Sequence, residues 1–185
     1  MKKFLIAVVV GIVAVVTSPG TAAHAAPGPT PYGFLQPLHD TTKCVDVPDF
    51  ATANNVAIDQ WTCIAQTNVS WRIEVPDADQ PTHVWIRSQS SKKCLTVLGG
   101  STAQSAPVVQ YTCTTANNNG LWWVTKNHDS IHGTYWDFEN VHSGKVLNIQ
   151  GASHANGAKL IQYSWGAASW NNFFYFPTDL TPYAS

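Results

Sequence analysis

Residues 44–63 read CVDVPDFATANNVAIDQWTC, and this pattern of an alternating apolar strand, a turn-rich loop and a Gln-aromatic strand returns twice more. The second copy, residues 94–113, reads CLTVLGGSTAQSAPVVQYTC, and the third copy, residues 146–165, reads VLNIQGASHANGAKLIQYSW. The three copies align without a gap and begin about fifty residues apart. Self-similarity at a fixed period is typical of a repeat architecture, so the chain is predicted to contain three copies of one structural unit.

The sequence on either side of these windows repeats as well. A short apolar strand precedes each copy, at residues 34–35, 84–86 and 136–138. Each unit closes with a large aromatic residue three positions after an Asn, in the pairs Asn68 and Trp71, Asn119 and Trp122, and Asn171 and Phe174. The repeated unit is therefore longer than the window and holds about four short strands.

From residue 32 onward no segment shows a sustained helical period, whereas short β-branched and aromatic runs alternate with Gly, Asn, Ser, Asp and Pro. A single unit of this kind cannot bury its own apolar face. We therefore predict one all-β domain over residues 32–185, a closed threefold body with repeats at about 32–76, 77–126 and 127–177.

Alternation along the two strands of each window predicts which side chains face the core, because successive side chains on a strand point to opposite faces. The inward set is Val45, Val47, Ile58, Gln60, Leu95, Val97, Val108, Gln110, Leu147, Ile149, Leu160 and Gln162. The outward set is Asp46, Asp59, Trp61, Thr96, Val109, Tyr111, Asn148, Ile161 and Tyr163. We expect the inward Gln residues to satisfy backbone groups of loops, and the closing aromatic residues to lie in the core.

The amino-terminal segment has the three-part layout of a secretory signal peptide, with basic residues, an apolar run over 4–16 that is too short for a membrane anchor, and a small-residue cleavage site. Cleavage after Ala25 is expected to leave a Pro-rich leader at residues 26–31. It removes Lys2 and Lys3, which leaves eight basic residues against eleven acidic ones, a net charge of about −3. Nucleic acid and anionic membranes are therefore poor candidate partners, and no membrane insertion is predicted.

Four cysteines in an exported chain indicate two disulfides, and the repeat register selects one of the three pairings. Cys44 with Cys63 and Cys94 with Cys113 have the same separation and the same place in their units. The third unit has Val146 and Trp165 at these positions, so its two strands are expected to be held by apolar packing. No Cys or His spacing in the chain suggests zinc.

The Cys-Leu-Asp-Val-like opening, the Gln-aromatic-x-Cys strand and the Asn-x-x-Trp closure, repeated in this order, resemble the ricin B-type lectins. These are β-trefoil carbohydrate-binding modules found alone or attached to secreted glycosidases and toxins, and the resemblance, over residues 32–177, implies a β-trefoil. The chain departs from the family pattern where Gln usually follows the closing Asn, at Val69, Gly120 and Asn172.

In this family each unit holds a sugar with an acid after the opening Cys, an aromatic ring on the later strand and the closing Asn. The resemblance implies sugar-binding residues Asp46, Asp59, Trp61 and Asn68 in the first unit, Thr96, Tyr111 and Asn119 in the second, and Asn148, Tyr163 and Asn171 in the third. A pyranose stacks its C–H face on an aromatic ring, and its hydroxyls need fixed acceptors and donors. The first unit has the full set and ranks first, the third ranks next, and the second ranks last because Thr96 offers one hydroxyl.

The resulting hypothesis is an exported, monomeric, non-enzymatic lectin that binds glycans or polysaccharides at several weak sites and uses no cofactor. Association with a separate secreted enzyme or toxin chain is compatible with the family. The alternative from another class is a protein-binding trefoil, such as a secreted protease inhibitor or a toxin accessory subunit. An inhibitor need not retain Asp46, Trp61 and Asn68 together, which favours the lectin.

Asp46 and Asp59 in one pocket raise the idea of glycosidic cleavage by paired carboxylates, or of calcium binding. We expect no catalytic residue, because the pair occurs in one unit only and a shallow, wet pocket is poorly suited to raise one pKa. His128 and His132 are four residues apart, but their region reads as loop and strand, so no helix aligns them as metal ligands.

Overall fold

The computed structural model describes residues 25–166 and 170–184. In these ranges the chain forms fourteen β-strands joined by turns, and no helix there is long and apolar enough to cross a membrane. The strands are β1 (Gly33–Phe34), β2 (Gln36–Pro37), β3 (Lys43–Asp46), β4 (Val56–Ala57), β5 (Asp59–Thr62), β6 (Ser70–Glu74), β7 (Trp85–Ser88), β8 (Cys94–Val97), β9 (Val108–Tyr111), β10 (Trp122–Asp129), β11 (Gly133–Asn140), β12 (Val146–Ile149), β13 (Leu160–Tyr163) and β14 (Phe174–Tyr175). The predicted signal peptide, apart from Ala25, lies outside the described residues.

Three antiparallel hairpins of identical register carry the repeated windows: β3 with β5, β8 with β9, and β12 with β13. In each hairpin the opening residue lies opposite the aromatic residue of the second strand, in the pairs Cys44 and Trp61, Cys94 and Tyr111, and Val146 and Tyr163. A 3₁₀ turn follows the first strand each time, at Pro48–Phe50, Leu98–Gly100 and Gln150–Ala152. The predicted threefold repeat is confirmed.

The remaining long strands close into a ring around the core. β6 pairs with β7, β10 with β11, and β11 with β14. β1 pairs with β6, and β2, which begins two residues after β1 ends, pairs with β14, so the first segment of the domain joins both. A bridge between Val84 and Trp122 joins the other edge. This closed all-β ring with three equivalent hairpins is the β-trefoil that the sequence led us to expect.

The apolar core lies where the three units meet. Every member of the predicted inward set is fully buried, as are the closing residues Trp71, Trp122 and Phe174. Full burial of a large apolar side chain contributes about 1.5–3 kcal/mol to stability. The indole N–H of Trp71 donates to the Val45 carbonyl at 2.8 Å, and that of Trp122 donates to the Leu95 carbonyl at 3.0 Å, which ties two closing strands to two opening strands.

The three inward Gln residues join each unit to another unit. Gln60 Nε2 donates to the Ser153 and Ala155 carbonyls at 2.6 and 3.0 Å. Gln110 does the same with the Ala51 and Ala53 carbonyls at 2.8 Å each, and Gln162 with the Ser101 and Ala103 carbonyls at 2.7 and 2.9 Å. The predicted structural role of these residues is confirmed, and every bond crosses between units.

Both predicted disulfides are present, Cys44 with Cys63 and Cys94 with Cys113. In the third unit Val146, at the position of the first Cys, is fully buried, whereas Trp165, at the position of the second, is 55% exposed. Apolar packing holds the two strands there as expected, because Leu147, Ile149 and Leu160 are fully buried between them and the core.

The segment predicted as a separate leader is attached to the domain at its end. Thr30 is buried, its backbone N–H donates to the Ile73 carbonyl at 2.9 Å, and its hydroxyl accepts from the Ile73 N–H at 2.9 Å. The Tyr183 hydroxyl donates to the Gly28 carbonyl. Thr30, two residues before the predicted start of the domain, therefore pairs with the edge of β6.

Candidate functional site

Each hairpin presents one exposed aromatic ring on its outer face. Trp61 is 46% exposed, Tyr111 39% and Tyr163 42%. Their positions are fixed by the hairpin register and, in the first two units, by the adjacent disulfide at the same end of the hairpin. The predicted ring of each site is therefore available for stacking.

The polar residues predicted to share these sites face away from the barrel core but are buried. Asp46, Asp59, Asn68, Thr96, Asn148 and Asn171 expose only 4–7% of their surface. Alternation predicts the outward face for Asp46, Asp59, Thr96 and Asn148, and that face is covered in the structure. The closing turn of each unit lies over the opening strand, and a residue from another unit completes the sheet on the far side.

At each junction between units, the residue from the other unit completes a row of three side chains. Asp46 lies opposite Asp59, which pairs in turn with Lys159. The equivalent rows are Thr96, Val109 and Ala57 in the second unit, and Asn148, Ile161 and Pro107 in the third. Two rows are uncharged, and only the first contains charges among the described residues.

In the first unit the polar groups form one connected set. Asn68 Nδ2 donates to Asp46 Oδ1 at 2.6 Å, and Lys159 Nζ donates to Asp59 Oδ2 at 2.8 Å. Within the described part of the chain, Asp59 Oδ1 and Asn68 Oδ1 are buried and have no hydrogen-bond partner. The set therefore has a surplus of acceptors.

Burial raises the pKa of both acids, and neighbouring negative charges add to the effect. Burial, followed by the charges of Asp59 and Asp49, raises the pKa of Asp46 from 3.8 to about 7, against the opposing effects of Asn68 and Lys159. Burial also raises the pKa of Asp59, although the hydrogen bond and charge of Lys159 lower it. The expectation of a wet pocket that leaves these pKa values unshifted was wrong, because the carboxyl groups lie beneath the surface.

The second unit carries an open cleft of about 780 Å³. Tyr111, Thr96 and Asn119, the three residues predicted for this unit, all line it. Asn119 Nδ2 donates to the Val97 carbonyl at 2.9 Å, and the Thr96 hydroxyl donates to the Cys94 carbonyl at 3.2 Å. These bonds occupy donors and leave the Asn119 and Thr96 side-chain oxygens as acceptors.

The third unit repeats the first without charge. Asn171 Nδ2 donates to Asn148 Oδ1 at 2.9 Å and to the Ile149 carbonyl at 2.7 Å. Asn148 thus takes the place of Asp46 with the same partner geometry. Residues 167–169, between Tyr163 and Asn171, lie outside the described part of the chain.

Sequence reasoning missed Lys159, His142 and Asn55, which come from other units. One signal for the ion pair was present in the sequence. Where the other two units have Ala57 and Pro107, the third unit has Lys159, and where the others have Val109 and Ile161, the first has Asp59. The two residues that form the ion pair are therefore the charged exceptions at their repeat positions.

The two histidines noted in the sequence lie apart from these sites. His128 is exposed on β10, and His132 contacts Trp170 with ring centroids 4.7 Å apart. Among the described residues no group of three or more His, Cys, Asp or Glu is placed to hold a metal.

The chain matches the family model described as ricin-type beta-trefoil lectin domain-like at residues 35–111 and 78–163. A comparison with curated proteins found no match. Among solved structures, the designed threefold symmetric protein ThreeFoil is 28% identical with a TM-score of 0.67, over 77% of this chain and 95% of that chain.

Two further structures share the fold at lower identity. The exo-β-1,3-galactanase 1,3Gal43A from Clostridium thermocellum is 24% identical with a TM-score of 0.67, over 77% of this chain and 29% of that chain. The carboxy-terminal half of the earthworm R-type lectin, in complex with GalNAc, is 15% identical with a TM-score of 0.58, over 78% of this chain and 95% of that chain. This chain therefore spans nearly the whole of two of these three structures and less than a third of the galactanase.

Proposed function

The chain belongs to the ricin-type β-trefoil lectin domain-like family, and from this premise we propose that it is a secreted, non-enzymatic lectin. The family and the fold support a carbohydrate-binding module. In this proposal each hairpin holds a sugar by stacking on its outer ring and by hydrogen bonds to the neighbouring oxygens. A GalNAc complex of the earthworm lectin half, which has the same fold, is consistent with such a use of this body.

The observation that carries the proposal is the exposed ring beside a polar pair. Trp61, Tyr111 and Tyr163 keep about two fifths or more of their surface in solvent although each is paired in the ladder of its hairpin. An aromatic ring that stays in solvent stabilises the fold less than a buried one, so its recurrence at one register position in three units favours a binding role. A ring next to fixed acceptors matches the amphipathic surface of a pyranose.

The buried acids of the first unit support binding rather than hydrolysis. A glycosidase needs both carboxyl groups in contact with the scissile bond, at separations that leave room for sugar or water. Asp46 and Asp59 are each 4% exposed and are engaged by Asn68 and Lys159. We therefore propose that Asp46 acts on the first-unit site by orienting Asn68.

Export, a monomeric state and multivalency complete the proposal. Two disulfides persist in oxidising compartments, which supports secretion. Shallow sites bury little area and bind weakly, so retention on a polysaccharide would come from two or three sites acting together.

The test is a glycan and polysaccharide array probed with the oxidised mature protein and with variants. Trp61→Ala, Tyr111→Ala and Tyr163→Ala each remove one exposed ring and leave the buried polar groups in place. Ile131→Ala, at an 84% exposed position in the turn between β10 and β11, is the matched surface control. Selective glycan binding that the ring variants weaken and the control retains supports the lectin. A folded protein that binds no glycan contradicts it and favours the protein-binding alternative.

A further inference from the structure

We propose that the cleft of the second unit is an extended subsite that takes an uncharged oligosaccharide of at least two linked sugars, while the first-unit site holds a single sugar. This inference rests on the proposed lectin function and gives it a ligand class. It reverses the rank that the sequence assigned to the second unit. Four features of the cleft carry it.

The first feature is that residues from three units line the cleft. Asn55 comes from the first unit, Tyr111 and Leu98 from the second, and His142 from the turn after β11 in the third. A Cβ on Gly100 would lie 3.9 Å from His142 Nε2, so the third-unit histidine stands over the rim of the second-unit turn. The cleft therefore extends beyond its own hairpin to both neighbouring units.

The second feature is the pair of glycines in the rim. Gly99 and Gly100 have φ of 61° and 65°, and a Cβ on Gly99 would meet no atom within 4 Å. The first unit carries Asp49 and Phe50 here, with Phe50 46% exposed, and the third carries Gly151 and Ala152. The second unit thus has no side chain at the two rim positions where the first unit has Asp49 and Phe50. Its site is therefore more open at the rim than that of the first unit.

The third feature is the absence of charge. The described residues that line the cleft include no Asp, Glu, Lys or Arg, and its polar side chains carry amides, hydroxyls, one imidazole and the indole of Trp85. A carboxylate or sulfate on a sugar would lose hydration there without gaining a cationic partner, whereas neutral hydroxyls find acceptors at Thr96 and Asn119. Uncharged sugars are therefore the ligand class that fits.

The fourth feature is size. Sites of about 300–1,000 Å³ bury most of the surface of drug-sized ligands, which are larger than one hexose. The cleft, at about 780 Å³, lies in the upper part of this range. Tyr111, 39% exposed, supplies a stacking face within it.

The experiment is calorimetric titration of the full mature chain with neutral oligosaccharides of one to four residues from the class that binds on the array. Matched acidic oligosaccharides, with a uronic acid in place of a hexose, form the second arm. Ala116→Trp fills the second-unit cleft from an exposed lining position. Ala65→Trp, at the equivalent exposed position three residues before the closing Asn68, is its control in the first unit.

We expect affinity for neutral ligands to rise roughly tenfold or more from one sugar to three, which is about 1.4 kcal/mol. Tyr111→Ala and Ala116→Trp should abolish this gain, and Trp61→Ala and Ala65→Trp should retain it. Loss of the gain in the first-unit variants alone, or equal affinity for the acidic ligands, overturns the inference and leaves the lectin function standing. Absence of binding to every glycan overturns the lectin function itself.

Discussion

Asp46 lies in the proposed sugar site, and its surroundings disfavour the charged form of its carboxyl group. It accepts from Asn68 and lies opposite Asp59, and its pKa is about 7 because of burial and two neighbouring acids. Between its ordinary pKa of 3.8 and about 7 the folded protein binds more protons at this group than the unfolded chain does. The contribution of Asp46 to stability is therefore greatest below about pH 4 and is lost as pH rises to about 7.

We predict that Asp46→Asn raises the free energy of unfolding at pH 8 by on the order of 2 kcal/mol, because it removes the buried charge. The hydrogen bond to Asn68 should survive, since Asn148 accepts from Asn171 in the same geometry in the third unit. Denaturant unfolding at pH 4 and pH 8 measures the effect. An equal difference from the wild type at both pH values would show that the charge of Asp46 is not the cause.

The charged row between the first and third units is an exception among three equivalent junctions. Lys159 and Asp59 are 100 residues apart in sequence and form a 2.8 Å ion pair, with side-chain exposures of 46% and 6%. The other junctions use Ala57 with Val109 and Pro107 with Ile161. An uncharged pair therefore fits this place in the fold.

We predict that Lys159→Ala destabilises the protein by about 1–3 kcal/mol at pH 8, because it leaves Asp59 buried without its cation. The double variant Lys159→Ala with Asp59→Val, which copies the Ala57 and Val109 pair, should recover the loss. A double-mutant cycle by thermal or denaturant unfolding measures the coupling. Additive effects of the two substitutions would contradict the prediction.

The inward Gln residues are the element-scale links between hairpins. Gln110 is fully buried and donates to two carbonyls of the first-unit loop. We predict that Gln110→Leu lowers the free energy of unfolding by about 1–3 kcal/mol, since it removes both hydrogen bonds to the loop carbonyls. Denaturant unfolding checks this, with the exposed Gln66→Leu as control. A loss no larger than that of the control would contradict the proposed link.

At the scale of the whole molecule, the three proposed sites lie on one body. The hairpins are held by the common core and by links that cross between units, so their rings keep fixed positions. We predict that a polysaccharide binds roughly a hundredfold more tightly than the matching monosaccharide, through effective concentration. Retention on the polymer, compared for single and paired ring variants, measures it. A monosaccharide that binds as tightly as the polymer would contradict multivalency.

The two disulfides and the threefold repeat were predictable because each depends on local pattern. Equal spacing of Cys44 to Cys63 and Cys94 to Cys113 selects one pairing, and period-two alternation assigns side chains such as Val45 and Gln60 to the core. These features depend only on strand geometry and on a register shared by the three copies, and both can be derived from residues close together in the chain.

The all-β class, the three units, the disulfides and the inward set follow from the amino-acid pattern alone. The burial of Asp46, the pairing of Asp59 with Lys159 and the cleft over Thr96 depend on contacts between units. Period-two alternation predicts the face of the strand from which a side chain projects. The exposure of that side chain depends on which residues of another unit cover this face. Residues from three units meet at the second-unit cleft, and no local pattern carries that information.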